Sequence, residues 1–328
     1  MNWLRSVFAL LLCAIGIFSA PQARALTMCS VTSTPLDFNS ATAGGTTIAT
    51  LSYQCSTLSF ASHVAVGMCF AIGPGSPTPP STIANRVMTN QAGDPLPFQI
   101  YKDPPRSQIW GDSPAQPSYL AIEIDYPVGV VGQLSGQINI HGSVADLSQA
   151  AAGNYRNVFN DARLIYSYRE STSPNAPKCD QGNGATTEYF PFEALVTVPP
   201  KCTVVTASDM NFSPGGMPLS GTSTGDLTST STINLTCTKR TAWQVGLDEG
   251  QNPNGGVRQM CNPGGACIAY QLNQPDGATP WGDDVDVDTV DGISAGPPQT
   301  LTVNGRVNDQ PLTQAGRYSD TVKVILTY

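Results

Sequence analysis

Two stretches of this chain carry one pattern, and they differ in how the chain continues beyond them. Residues 316–328 read as a turn and then a β-strand, with Val322, Val324, Leu326 and Tyr328 at period two and mainly polar residues between. Residues 153–168, from Gly153 and Tyr155 through Leu164, Tyr166 and Tyr168, look like the same element. There the chain goes on through a loop into a further alternating run, Phe190, Phe192, Ala194, Val196 and Val198, which stops at Pro199 and Pro200. No such run comes after the later copy, so the second unit is expected to lack a strand that the first possesses. A β-sandwich short of one strand exposes ladder groups and core together. It needs a strand from another chain.

Residues 1–25 read as a secretory leader: Arg5 gives the positive start, residues 7–18 the apolar run, and Ala23, Arg24 and Ala25 a small-x-small cleavage site. Cys13 lies inside the apolar run without the small residue before it that a lipid-anchoring signal needs. No later stretch is apolar over the ~20 residues of a membrane span. Losing the leader removes Arg5 and Arg24 and no acid, so the formal charge of −8 becomes −10, which argues against nucleic acid as a partner. It also removes one of nine cysteines and leaves an even number for an oxidising compartment. With 31 Gly, 27 Pro and few charges, the composition suits short strands joined by turns.

The two halves repeat one another in order. Cys29, Leu36 and Phe38 answer Cys202, Met210 and Phe212; the strand ending at Cys55 answers the one ending at Cys237. Arg86 and Met88 correspond to Arg258 and Met260, and Trp110-Gly111-Asp112 to Trp281-Gly282-Asp283. Ile138, Ile140 and Gly142 then match Leu301, Val303 and Gly305, and Gly153-x-Tyr155 matches Gly316-x-Tyr318. The boundary falls at residues 199–201, which divides the mature chain into units 26–198 and 202–328. The repeat and the even count pair Cys29 with Cys55, Cys202 with Cys237 and, in a Gly-rich hairpin, Cys261 with Cys267; Cys69 with Cys179 follows by elimination.

This set of residues resembles the spore coat protein U domain, whose proteins are similar to subunits of archaic chaperone-usher pili. The second half matches throughout, most specifically from Ala315 to Tyr328, whereas the first lacks the Asp320-Thr321-Val322 triplet. The resemblance implies an all-β chain of two tandem immunoglobulin-like β-sandwiches, the second lacking its last strand. Val322, Val324, Leu326 and Tyr328 would form the strand that accepts a donor, first from a periplasmic chaperone, then, at an outer-membrane usher, from the N-terminal strand of the next pilin subunit. Phe190, Phe192, Ala194, Val196 and Val198 would be a donor strand fused in cis. Leu26, Thr27 and Met28 are too few to donate, so the chain is expected at the distal end of a cell-surface fibre, as a tip adhesin of surface attachment and biofilm formation.

The contact surface is expected at the pole away from residues 199–201, on an abiotic or host surface. Its candidates are loop 56–62, with Leu58 and Phe60, and loop 126–132, with Tyr126, Val128, Val130 and Val131; residues 170–188 share that pole. An alternative for the valines is a core strand. Asp284, Asp286 and Asp288 alternate as calcium ligands do, but Thr289 and Ala295 stand where an EF-hand needs Gly and Glu. His63 and His141 lack metal-ligand spacing, so no metal or other cofactor is expected. Arg86, Arg258, Trp110 and Trp281 recur in both halves and read as framework. No catalytic set emerges, and the competing reading is a structural coat or extracellular matrix protein without a dedicated target.

Overall fold

The computed structural model describes residues 26–40, 44–76, 81–112, 118–171, 175–181, 183–213 and 218–328; the expected leader, Cys13 included, lies outside them. The first half is built from β1 (Leu26–Ser33), β2 (Leu36–Ser40), β3 (Gly45–Leu58), β4 (His63–Ala71), β5 (Arg86–Thr89), β6 (Pro95–Tyr101), β7 (Leu120–Pro127), β8 (Val131–Val144), β9 (Gly153–Phe159), β10 (Arg163–Ser171), β11 (Asn183–Tyr189) and β12 (Phe192–Val198). The second half continues with β13 (Cys202–Ala207), β14 (Leu227–Cys237), β15 (Ala242–Leu247), β16 (Gln259–Cys261), β17 (Cys267–Ala269), β18 (Gln271–Asn273), β19 (Val290–Ile293), β20 (Gln299–Val307) and β21 (Val324–Thr327).

The fold is all-β, two immunoglobulin-like sandwiches in tandem. In the first, a sheet ordered β1-β3-β8-β6-β5-β9-β12-β2 packs on one ordered β11-β10-β4-β7. In the second, β13-β14-β20-β18 packs on β19-β15-β21, with the β16–β17 hairpin beside them. One buried cluster runs from Cys29 to Val198 and a separate one from Cys202 to Leu312. Strand after strand buries every second side chain, as the alternation requires. The exception is β4, buried on both faces beyond His63. Cys69 of β4 is bonded to Cys179, and the segment around Pro177 lies so close that a Cβ at Gly67 would fall 1.9 Å from the Pro177 carbonyl oxygen. Only glycine permits that approach.

The other disulfides are Cys29–Cys55, Cys202–Cys237 and Cys261–Cys267, each between directly opposed residues of paired strands. All four pairs are those expected from the sequence. The framework residues also recur. Arg86 is wholly buried and donates to the carbonyls of Gly73 (2.9 Å) and Trp110 (2.7 Å). Arg258 donates to those of Asp248 (2.7 Å) and Trp281 (2.8 Å). Trp110 and Trp281 are wholly buried, and each gives its indole N–H to a carbonyl in the opposing sheet, that of Phe70 or Val245 respectively.

Two expectations about local structure are corrected. Residues 153–168 are not a turn followed by one strand: they hold two strands, β9 and β10, which lie in different sheets and are joined by a corner at residues 160–162. Alternation continues across such a corner, so periodicity alone does not reveal it. Residues 170–188 are not simply a loop at the pole. Their described part includes β11, and residues 175–181 fold back over the middle of β4 and β10, where the Ser167 hydroxyl donates to the carbonyls of Lys178 and Gln181.

Candidate functional site: an open groove and an apolar pole

In the first half β12 lies between β9, to which it is antiparallel, and β2, to which it is parallel. Phe190, Phe192, Ala194, Val196 and Val198 are all buried, and Phe192 meets the ring of Trp110 edge-on at 5.6 Å. Each large member of this set contributes on the order of 1.5–3 kcal/mol by leaving water. The internal strand is therefore a full member of the core.

The second half has the walls of that slot and, among the described residues, no strand in it. Met210 and Phe212 take the places of Leu36 and Phe38. A Cβ at Gly305 would overlap Met210, as one at Gly142 would overlap Leu36, so the same glycine lets the same wall fold inward in both halves. On the far side, residues 316–322 replace β9. Gly316 exchanges two backbone hydrogen bonds with Leu219, and Ser319 two with Cys261. Asp320 anchors this segment by accepting from the Tyr270 hydroxyl (2.6 Å) and the Gln251 amide (2.8 Å). Burial first, and then the adjoining carboxylate, pushes the Tyr270 phenol well above its usual range. The counterpart Asn157 performs the same anchoring in the first half, donating to the Val87 carbonyl at 2.8 Å. Between the walls runs a groove of about 710 Å³, floored by Ile233, Val303 and Tyr270 and bordered by Met210, Phe212 and Tyr318.

Of the residues expected to form the accepting strand, Val322 and Val324 border this groove. Leu326 and Tyr328 do not, because β21 pairs with β15 in the opposite sheet. The edge facing the slot is 316–322, which the sequence merged with β21 into one element.

The second feature is the far pole of the first half. Here the β3–β4 and β7–β8 turns are laced by hydrogen bonds from Ser59 N–H to Val130 O (3.3 Å) and from Val128 N–H to Ser62 O (2.8 Å). Leu58 is opposed by Leu26 on one side and Val131 on the other. These three, with Met28, Phe60 and Val130, are exposed by 53–82 %. Tyr126 and Val128, expected among them, are buried at 4 % exposure each. The Tyr126 hydroxyl bonds to Thr57 (2.5 Å), which bonds to Thr27 (2.8 Å), and burial raises its pKa. Val128 tucks beneath the turn, within 2.8 Å of where Gly132 would carry a Cβ. Leu26 and Met28 were missed because three residues before Cys29 were weighed only as a donor. Their alternation with the buried Thr27 and Cys29 was the available signal.

The acidic loop caps itself: Asp288 accepts from the Asp284 amide at 2.9 Å, and Asp286 bonds to Gln244. His63 lies 3.5 Å from Asp125, and His141 is buried in β8. Among the described residues no three His, Cys, Asp or Glu converge as metal ligands do.

A family model described as the Spore Coat Protein U domain matches residues 17–160 and again 188–325. No curated protein matches the sequence. Among solved structures, the chain is similar to the CsuC–CsuE chaperone–tip adhesion subunit pre-assembly complex from the archaic chaperone-usher Csu pili of Acinetobacter baumannii. The identity is 14 %, the TM-score 0.44, and the match covers 92 % of this chain and 100 % of that one. It is also similar to the CupB6 tip adhesin of Pseudomonas aeruginosa, at 11 % identity and a TM-score of 0.32, over 93 % of this chain and 96 % of that one.

Proposed function

The chain belongs to the spore coat protein U domain family, and from that premise we propose that it is the tip adhesin of a chaperone-usher pilus, assembled by strand donation. The observation that carries this is the groove between 207–213 and 316–322, which in the first half is filled by β12. The second family match begins at residue 188, ahead of β12, so a leading strand belonging to the second repeat completes the first. In a fibre the equivalent strand of the next subunit would complete the second repeat, after a periplasmic chaperone had held it open. Delivery through the usher puts the molecule on the cell surface. The two units would divide the work, 202–328 for assembly and 26–198 for contact.

Adhesion is assigned to Leu26, Met28, Leu58, Phe60, Val130 and Val131. Six exposed apolar side chains at one end favour a dedicated contact over a coat protein without a target, because scattered exposure is ordinary and clustered exposure is not. They suit an apolar surface, abiotic or host, and the role extends to biofilm formation.

The test separates assembly from attachment. Val322→Asp places a charge in the groove and is expected to abolish display of the protein on cells. Phe60→Ser with Val130→Ser is expected to leave display intact and cut attachment to hydrophobic surfaces sharply. Display that survives Val322→Asp would contradict strand donation; full attachment by the double variant would put the adhesive surface elsewhere.

A further inference from the structure

The segment that completes the first half is longer than the slot it fills. Before β12 enters the groove, β11 runs antiparallel along the outer edge of β10, with Leu164 opposite Glu188 and Tyr166 opposite Thr186. Phe190 and Pro191 then carry the chain across to the other sheet. Residues 183–198 thus close two edges, one in each sheet.

Both edges are open in the second half. Strand β21 is the counterpart of β10, and it ends its sheet: β15 lies on one side and no strand among the described residues on the other. The Asp248 amide donates to the Lys323 carbonyl at 3.1 Å. By the antiparallel alternation, the backbone groups of Ile325 and Thr327 also face β15, and those of Val324, Leu326 and Tyr328 face outward. Side chains on this edge are less covered than their counterparts. Leu164 lies opposite Phe70 and Leu326 opposite Val245, the residues whose carbonyls receive the matched tryptophan N–H groups, so Ala162, Leu164 and Tyr166 correspond to Val324, Leu326 and Tyr328. The first three are buried, whereas Val324 and Leu326 are half-buried and Tyr328 is 58 % exposed. Val205, on the neighbouring β13, is 59 % exposed.

We infer that the partner completes the second half with two strands: one in the groove and, immediately before it, one laid antiparallel along the outer edge of β21. This rests on the groove being a strand acceptor and adds a second contact to it. The occupant is an extended segment of another protein chain. Its groove portion alternates apolar residues as Phe192, Ala194, Val196 and Val198 do. The portion ahead of it is mainly polar, as Thr186, Thr187 and Glu188 are. An edge left bare would invite unspecific strand pairing, and a two-strand donor covers it.

The test uses the full chain in three forms: unextended, extended after Tyr328 through a flexible linker by residues 189–198, and extended directly by residues 167–198 with Cys179→Ser. Thermal melting reports on the groove, and hydrogen exchange at the Val324, Leu326 and Tyr328 amides reports on the edge. The short extension is expected to raise the melting of the second half while those amides still exchange freely. The long one is expected to raise it further and to slow their exchange by more than about tenfold. Equal melting and equally fast exchange in both extended forms would overturn the two-strand inference and leave the groove intact. No change in melting with either extension would overturn the groove reading and this inference with it.

Discussion

Arg86 and Arg258 show how much of a fold one residue can carry. Burial pulls the Arg86 guanidinium down to about 10, opposed by the carboxylates of Asp161 and Asp112, so it stays charged at neutral pH. Its partners are carbonyls that would otherwise be buried without donors. Arg86→Met is expected to lower the stability of the first half by about 3 kcal/mol, read by thermal melting, since each orphaned group costs about 1–3 kcal/mol. This role was legible because the residue recurs at matched positions in both halves. The apolar loop 126–132 was not legible to the same degree. Its valines look alike in sequence, and only the absence of a side chain at Gly132 and the bond from Tyr126 to Thr57 decide which turn inward. Val130→Asp is therefore expected to shift stability by about 0.5 kcal/mol or less, as at other surface positions. Val128→Asp is expected to cost several times more, because it buries a charge without a partner. Melting of the two variants side by side checks the assignment.

At the scale of the element, β12 was readable in advance. Five alternating apolar residues ending at two prolines have few folds open to them, and the structure buries all five. What could not be read was which strands flank it. A parallel neighbour from residues 36–40 and an antiparallel one from 153–159 are long-range pairings that no local pattern encodes. The missed corner between β9 and β10 has the same cause, and it moved the edge that faces the groove from β21 to 316–322. Val196→Asp is expected to unfold the first half cooperatively while the second still folds and melts as its own transition, because the two cores share no residue. A variant that melts as the parent does would show that β12 is dispensable to the core.

Across the whole molecule, the halves meet at Asp94. Lys239 lies 3.3 Å from its carboxylate, Arg240 also pairs with it, and Asn90 donates to it at 3.1 Å. Burial acts to raise its pKa, but the hydrogen bonds from Arg240, Asn90 and Lys239 outweigh it and leave the carboxyl below the ordinary value. A lowered folded value means that this contact contributes in full above the unfolded value of about 4 and is lost as the pH falls through the folded one. Protection of the Ala152 amide from hydrogen exchange, taken relative to its intrinsic rate at each pH, is expected to be high at neutral pH, where this amide bonds to the Lys239 carbonyl at 2.8 Å, and to fall in acid. In Asp94→Asn it should be low at both.

The central claim is that the second half is a sandwich with an open groove that takes a strand, and calorimetry of the full chain titrated with a synthetic peptide of residues 189–198 tests it most directly. Two transitions are expected, the lower from the second half. The peptide should raise the lower one progressively with its concentration, as any ligand of the folded state does, and leave the upper one unmoved. A lower transition indifferent to the peptide would contradict the account, and so would a peptide that shifts only the upper one.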